Sequence, residues 1–205
     1  RKNKTTYATR RMGWSRTQDI KMINIDAIKK DNITSKPFEY MLIDFVDADF
    51  VRSSYKDYKE NFEIQTQFDE FSIVNPHPVQ ELLEDYEEQI VSKVNDVWDL
   101  DIVSCSMSTS MFDKNSELDT HNDYNYDGNF FIPARGIIYL NDEKEFGTNI
   151  YETERGEPTE IGGSPGQLFL FKVSKNSWHS AGKDIKSDFR ITCNWLLNRE
   201  GSPHQ

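Results

Sequence analysis

Apolar positions along the 205-residue chain change their spacing near residue 100. Before that point the longest periodic run is Leu82, Leu83, Tyr86, Ile90, Val91, Val94 and Trp98. These positions recur at the spacing of one helical face. Pro78 suits a helix start, and Glu81, Glu84 and Asp85 suit its first turns. The pattern therefore predicts one helix over 78–98, with its stripe turned into a core. Upstream, residues 38–45 are rich in β-formers and predict a strand, after which Asp47 should cap a short helix reaching about Lys59. Residues 61–74 are mixed, and Phe62, Ile64 and Phe68 suggest one or two further strands.

From 101 onward, short β-like runs cover 102–112, 121–126, 135–141, 148–153, 167–173 and 189–197, punctuated by Gly, Pro, Asn and Asp. Ser104, Ser106, Ser108 and Ser110 alternate along the first run and so share one face. Gly162-Gly163-Ser164-Pro165-Gly166 is a turn cluster. Six or more short strands after a long helix predict a mainly β chain with supporting helices (α+β), a double-sheet roll. With no internal repeat and no boundary, the expected organisation is a lead-in over 1–35 and a single domain over 36–200. The β core should occupy about 101–197.

Composition narrows the class. Hydrophobic residues make up only 36% and charged residues 29%, but 13% aromatics support a packed core. No apolar run approaches the roughly 18 residues of a membrane span. The polar N-terminus shows no secretory leader. Cys105 and Cys193 are too few for a disulfide framework, so a reducing, cytoplasmic setting is expected. A net charge of −11 argues against general nucleic-acid binding. Arg1, Lys2, Lys4, Arg10, Arg11 and Arg16 all precede the first acid, Asp19. They form either a solvated, flexible arm or a docking arm for an acidic partner.

The candidate chemistry centres on Thr120-His121-Asn122-Asp123-Tyr124. In an extended segment His121 and Asp123 would leave the same face. A second imidazole would complete a set of two nitrogens and one oxygen, the facial arrangement of non-haem Fe(II) oxygenases. His179 supplies a candidate 56 residues beyond Asp123, and Arg190 follows eleven residues later inside a strand. Taken singly, either histidine could equally be a loop residue; the ordered set carries the signal. His77, in a proline-flanked loop, and His204, near the end of the sequence, carry no expected role. Arg190, Thr192 and Asn194 share one strand face, while Phe189, Ile191, Cys193 and Trp195 share the other. A buried Arg190 asks for an anion, and Thr192 could add a donor to a carboxylate clamp.

With these residues in place, the region from 101 to 197 resembles the double-stranded β-helix (jelly-roll) core of 2-oxoglutarate/Fe(II)-dependent dioxygenases. It resembles the prolyl 4-hydroxylase-like branch in particular. Besides His121, Asp123, His179 and Arg190, Ile137-Ile138-Tyr139-Leu140-Asn141 resembles that branch's strand ending in Tyr-Leu-Asn. Ser164-Pro165-Gly166-Gln167-Leu168-Phe169-Leu170-Phe171 resembles its approach to the distal histidine, with Pro and Gly closer together here. Three departures stand out. Phe146-Gly147-Thr148 replaces a common Gly-Gly pattern, and Arg190 stands where collagen-type members have Lys. Trp195 lies an odd number of residues from Arg190, so no pocket role carries over to it.

The resemblance implies that His121, Asp123 and His179 hold Fe(II). Arg190, with Tyr139 and Thr192, would anchor 2-oxoglutarate, and O₂ is the other co-substrate. Oxidative decarboxylation would then be coupled to hydroxylation, with His121, Asp123, His179 and Arg190 as the catalytic set. By branch similarity the substrate is a peptide or protein, peptidyl proline first; the alternative is a free amino acid or another small metabolite. Tyr124, Asn125, Tyr126 and Arg135 are candidate substrate contacts or, equally, polar loop residues. From other classes, a non-catalytic β-roll binding protein predicts loss of one of these residues. A zinc hydrolase would need a general base and leave Arg190 without a purpose.

Overall fold

The computed structural model describes residues 22–114, 116, 118–124, 132–181 and 185–200. The basic arm and the candidate contacts Asn125 and Tyr126 lie outside the described residues. Short antiparallel strands dominate, in two sheets. After two 3₁₀ turns the described elements run β1 (Tyr40–Asp44), α1 (Ala48–Asn61), β2 (Ile64–Gln67), β3 (Ser72–Val74), α2 (Pro78–Glu84) and α3 (Glu87–Trp98). They continue with β4 (Ile102–Asp113), β5 (Leu118–His121), β6 (Ala134–Tyr139), β7 (Thr148–Ile150), β8 (Thr159–Ile161), β9 (Gln167–Lys172), β10 (His179–Ala181) and β11 (Phe189–Arg199). The larger sheet has the order β1-β9-β6-β11-β4-β3-β2, and the smaller β5-β10-β7-β8. This is a jelly-roll arrangement in which the long β11 lies between β6 and β4. No helix among the described residues is long and apolar enough to cross a membrane.

Strand β11 is buried on both faces, which its alternation explains. Ile191, Cys193, Trp195 and Leu197 join one apolar cluster with Val51 and Tyr55 of α1, Leu83 of α2, and Ile90 and Val94 of α3. Arg190 and Thr192 occupy the other face and are equally buried. The serine face of β4 also finds its reason. Asn194 donates to Ser110 at 2.8 Å and Asn198 donates to Ser106 at 3.0 Å, so polar side chains pair across neighbouring strands.

Helix α1 starts where its cap places it. Asp47 Oδ1 accepts from the backbone N–H of Asp49 and of Phe50, each at 2.9 Å, a cap worth about 1 kcal/mol. The single helix expected over 78–98 is instead two, α2 and α3, parted at Asp85 and Tyr86. Glu81 and Asp85, and Glu84 and Glu88, would stack like charges four apart in a continuous helix. Each half also has its own tie to β4. Gln80 accepts from Thr109 Oγ1 at 2.8 Å, and Glu87 accepts from Cys105 N–H at 2.7 Å.

His77, without an expected role, is fully buried and caps α2: its Nδ1 accepts from Val79 N–H at 3.1 Å. The ring can accept there only while neutral, and burial pushes its pKa down to about 3. In the unfolded chain its pKa returns to about 6.5. Between these values the unfolded state binds more protons, so stability falls as pH drops below about 6.5, by up to about 1.4 kcal/mol per unit. The contribution levels off below about 3. His77→Asn, which caps without titrating, should flatten that part of the profile. Urea denaturation of both proteins from pH 4 to 8 checks it, and a constant difference between them would reject the assignment.

Candidate metal centre and carboxylate anchor

Strand pairing brings the two histidines together. In the β5–β10 register His179 stands directly opposite His121, and their ring centroids are 4.3 Å apart. Asp123 arrives differently from the extended His-x-Asp expected, because β5 ends at His121 and Asp123 takes a φ of 53°. The left-handed region is open to Asp at low cost. The carboxylate therefore returns to the imidazoles through a turn rather than by strand alternation. Asn122, between the two, is buried and fixes that turn. Its side chain donates to Lys175 O at 3.1 Å, while Ser177 Oγ donates to Asn122 O at 2.9 Å. Neither Asn122 nor Ser177 carried a sequence signal beyond the turn preference of Asn.

Hydrogen bonds set which nitrogens are available. His121 Nδ1 lies 2.8 Å from Asp119 O, and His179 Nδ1 lies 2.8 Å from Ser177 O. A carbonyl oxygen only accepts, so both Nδ1 atoms carry the proton and both Nε2 atoms keep a bare lone pair. His179 Nε2 is 3.4 Å from Asp123 Oδ2, and His121 Nε2 is 3.7 Å from Asp123 Oδ1. One ligand atom from each residue lies within 4.8 Å of the others. Arg135 Nη1 donates to Asp123 Oδ1 at 3.0 Å, so this candidate substrate contact is turned to the carboxylate. Asp123 Oδ2 is buried with no hydrogen-bond partner among the described residues.

Three acceptors thus converge with no donor between them among the described residues, an arrangement that leaves the buried Asp123 Oδ2 unsatisfied unless a cation joins them. The donor set fits a metal ion. Protonation states agree: burial pushes His179 down to about 4, against the pull of the Asp123 carboxylate, so it is neutral at neutral pH. Burial alone would raise Asp123, but Arg135, His179 and His121 outweigh it and hold the carboxyl below its ordinary value.

The second half of the site lies across the sandwich. Arg190 is 2% exposed, and burial lowers its pKa from the usual guanidinium value. An arginine stays charged all the same. Among the described residues no carboxylate pairs with it. Its Nε donates to Phe146 O at 3.0 Å and its Nη2 to Thr148 Oγ1 at 3.5 Å. The Tyr139 hydroxyl shares a 2.9 Å hydrogen bond with Thr148 Oγ1. Thr192 directs its hydroxyl to Asn194 Oδ1 at 3.5 Å, while the hydroxyls of Thr148 and Tyr139 stand beside the guanidinium. Thr148 sits on β7, two residues from Ile150, which stands opposite His179. That strand links the Arg190 group to the His121–Asp123–His179 cluster. Gly162, at a φ of 73°, lets a turn press on Tyr139, since a Cβ there would lie 2.4 Å from the ring. Tyr124 lies with its ring under Lys175 Nζ at 5.6 Å.

No protein-family model matches the chain, and no curated protein matches it either. Solved structures do. A prolyl-4-hydroxylase from Pseudomonas putida aligns at 16% identity and a TM-score of 0.59, covering 79% of this chain and 93% of its own. A prolyl hydroxylase from Trichoplax adhaerens, in complex with a hypoxia inducible factor oxygen degradation domain peptide fragment, aligns at 10% identity and a TM-score of 0.60. It covers 91% of this chain and 94% of its own. A 2OG-Fe(II) oxygenase family oxidoreductase from Burkholderia pseudomallei aligns at 10% identity and a TM-score of 0.55, covering 80% and 85%. At these identities the likeness shows the fold: the chain has the jelly roll of the 2OG-Fe(II) oxygenase and prolyl hydroxylase structures.

Proposed function

We propose that this chain is an Fe(II)- and 2-oxoglutarate-dependent dioxygenase, a single domain over 36–200 whose helices support the larger sheet. The observation that carries the reading is the convergence of His121 Nε2, His179 Nε2 and a buried, unpartnered Asp123 Oδ2. These three residues would hold Fe(II). When bound, iron with 2-oxoglutarate and O₂ supplies the oxidising power that yields succinate, CO₂ and a hydroxylated substrate.

The residues of the chain bind and orient. Arg190 offers a planar fork to the distal carboxylate of 2-oxoglutarate, and Tyr139 with Thr148 fixes the hydroxyls around it. Thr192 shares this face and completes its wall. Arg135 occupies Asp123 Oδ1 and leaves Oδ2 for the metal. Burial of Arg190, Tyr139 and His179 keeps bulk water from the reacting groups. The proposed substrate is a peptide, with proline as first candidate. The fold shared with a peptide-bound prolyl hydroxylase supports it. So does the side chain of His121, one-third exposed at the metal centre's mouth, which suits an open groove better than an enclosed metabolite pocket.

Anaerobic titration of 2-oxoglutarate into the Fe(II)-loaded protein tests this reading. A metal-to-ligand charge-transfer band in the visible is expected, and it should be missing in His179→Ala. An absent band with iron demonstrably bound would withdraw the dioxygenase assignment in favour of another metal chemistry or a binding protein.

A further inference from the structure

Arg190 stands in a row of aromatic rings that runs out to the surface. In the β4–β11 register Phe112 lies directly opposite Arg190, and in the β3–β4 register Ser72 lies opposite Met111. The next step along that register sets Phe71 beside Phe112. Their rings stack at 5.6 Å and 29°, and Phe68 stacks on Phe71 at 4.9 Å and 29°. Phe68 N–H donates to Phe71 O at 2.9 Å, closing the β2–β3 turn that carries both. Phe112 also forms a separate apolar cluster with Ala181 of β10 and Ile185, against which Phe71 and Leu118 of β5 pack. The turn is thereby fastened to the two strands that carry the histidines.

At the inner end the guanidinium carbon of Arg190 sits 5.1 Å from the Phe112 ring centre and 5.6 Å from that of Tyr139. The two rings come from β4 and β6, which flank β11 on opposite sides. We infer that Phe112, backed by Phe71, is a positioning residue for the 2-oxoglutarate anchor: with Tyr139 it fixes the plane of the Arg190 guanidinium. The inference rests on the reading of Arg190 given above. A guanidinium is attracted to ring faces and resists leaving them, whereas its N–H groups lie at its edge. Rings on either side therefore leave only the edge to meet a carboxylate. They also hold the cation in place while no carboxylate is bound.

The test compares two 2-oxo acids in the anaerobic charge-transfer titration of the Fe(II)-loaded protein. 2-Oxoglutarate has the distal carboxylate; 2-oxobutyrate offers the same 2-oxo acid end without it. The wild type should prefer 2-oxoglutarate strongly. In Phe112→Leu that preference should fall about tenfold, through weaker 2-oxoglutarate binding, with 2-oxobutyrate affinity and Fe(II) affinity unchanged. Phe71→Leu, at the partly exposed turn, should shift the ratio the same way by less, and it decides the matter if Phe112→Leu does not fold. A wild type without preference would remove the anchor reading itself. A preference that survives in both variants, or a loss equal for both acids, would overturn the role of Phe112.

Discussion

Asp123→Asn is expected to leave the protein folded, abolish its iron binding and reduce turnover to background. The substitution keeps the shape of the side chain and a residue that tolerates the φ of 53° found there. What it removes is the only anionic candidate ligand in the set of His121, Asp123 and His179. The amide would meet Arg135 through its oxygen and present an N–H₂ group toward His179 Nε2, filling with a donor the gap that a cation should occupy. Loss of an outer partner of a metal ligand costs roughly 10–100-fold in affinity or activity, so loss of a ligand charge should exceed that. Thermal melting makes the point independently of any substrate. Fe(II) added anaerobically should raise the wild-type melting temperature, since it binds the folded state alone, and should leave Asp123→Asn unmoved. Asp123→Asn protein that still binds iron and turns over would refute the triad.

The convergence of His121, Asp123 and His179 was legible because ligand chemistry limits which residues can serve, and the burial of Arg190 because alternation fixes the face it takes. The N-cap at Asp47 and the two faces of β11 were legible for the same local reasons. The approach of Asp123 was not, since period-two reasoning assumes a continuing strand and the chain turns after His121. β10 spans only His179–Ala181 and β8 only Thr159–Ile161, too short for any period to emerge. The break between α2 and α3 depends on Gln80 and Glu87 reaching β4, a tertiary fact. Thr148 and Phe112 come to Arg190 from other strands. Only the register identifies them, and a sequence offers many other threonines and phenylalanines. For the same reason Thr148 does not stand with Tyr139 and Thr192 among the candidate anchor residues of the sequence, although its hydroxyl reaches Arg190 from β7.

Arg190→Met is expected to separate stability from function. The guanidinium is buried, has no carboxylate partner among the described residues, and is held by the Phe146 carbonyl, the Thr148 and Tyr139 hydroxyls and two ring faces. A buried charge without a counter-charge is a cost to the empty protein, so an apolar side chain of similar length should be neutral or stabilising in its place. The metal-free variant should therefore melt no lower than wild type, and the Phe146 carbonyl left behind sets the limit to any gain. Co-substrate binding should move the other way. Truncating one member of a buried charge pair costs about 2–5 kcal/mol, so 2-oxoglutarate affinity should fall by about 30-fold or more while Fe(II) affinity stays. Arg190→Lys should recover part of the loss, because the charge remains but the planar fork does not. Calorimetric melting and anaerobic titration of the same samples decide it. If 2-oxoglutarate affinity is unaltered in Arg190→Met, the anchor lies elsewhere and the buried arginine needs another explanation. If affinity falls and the melting temperature falls with it, the guanidinium contributes to folding as well as to binding, through the carbonyl of Phe146 and the ring of Phe112.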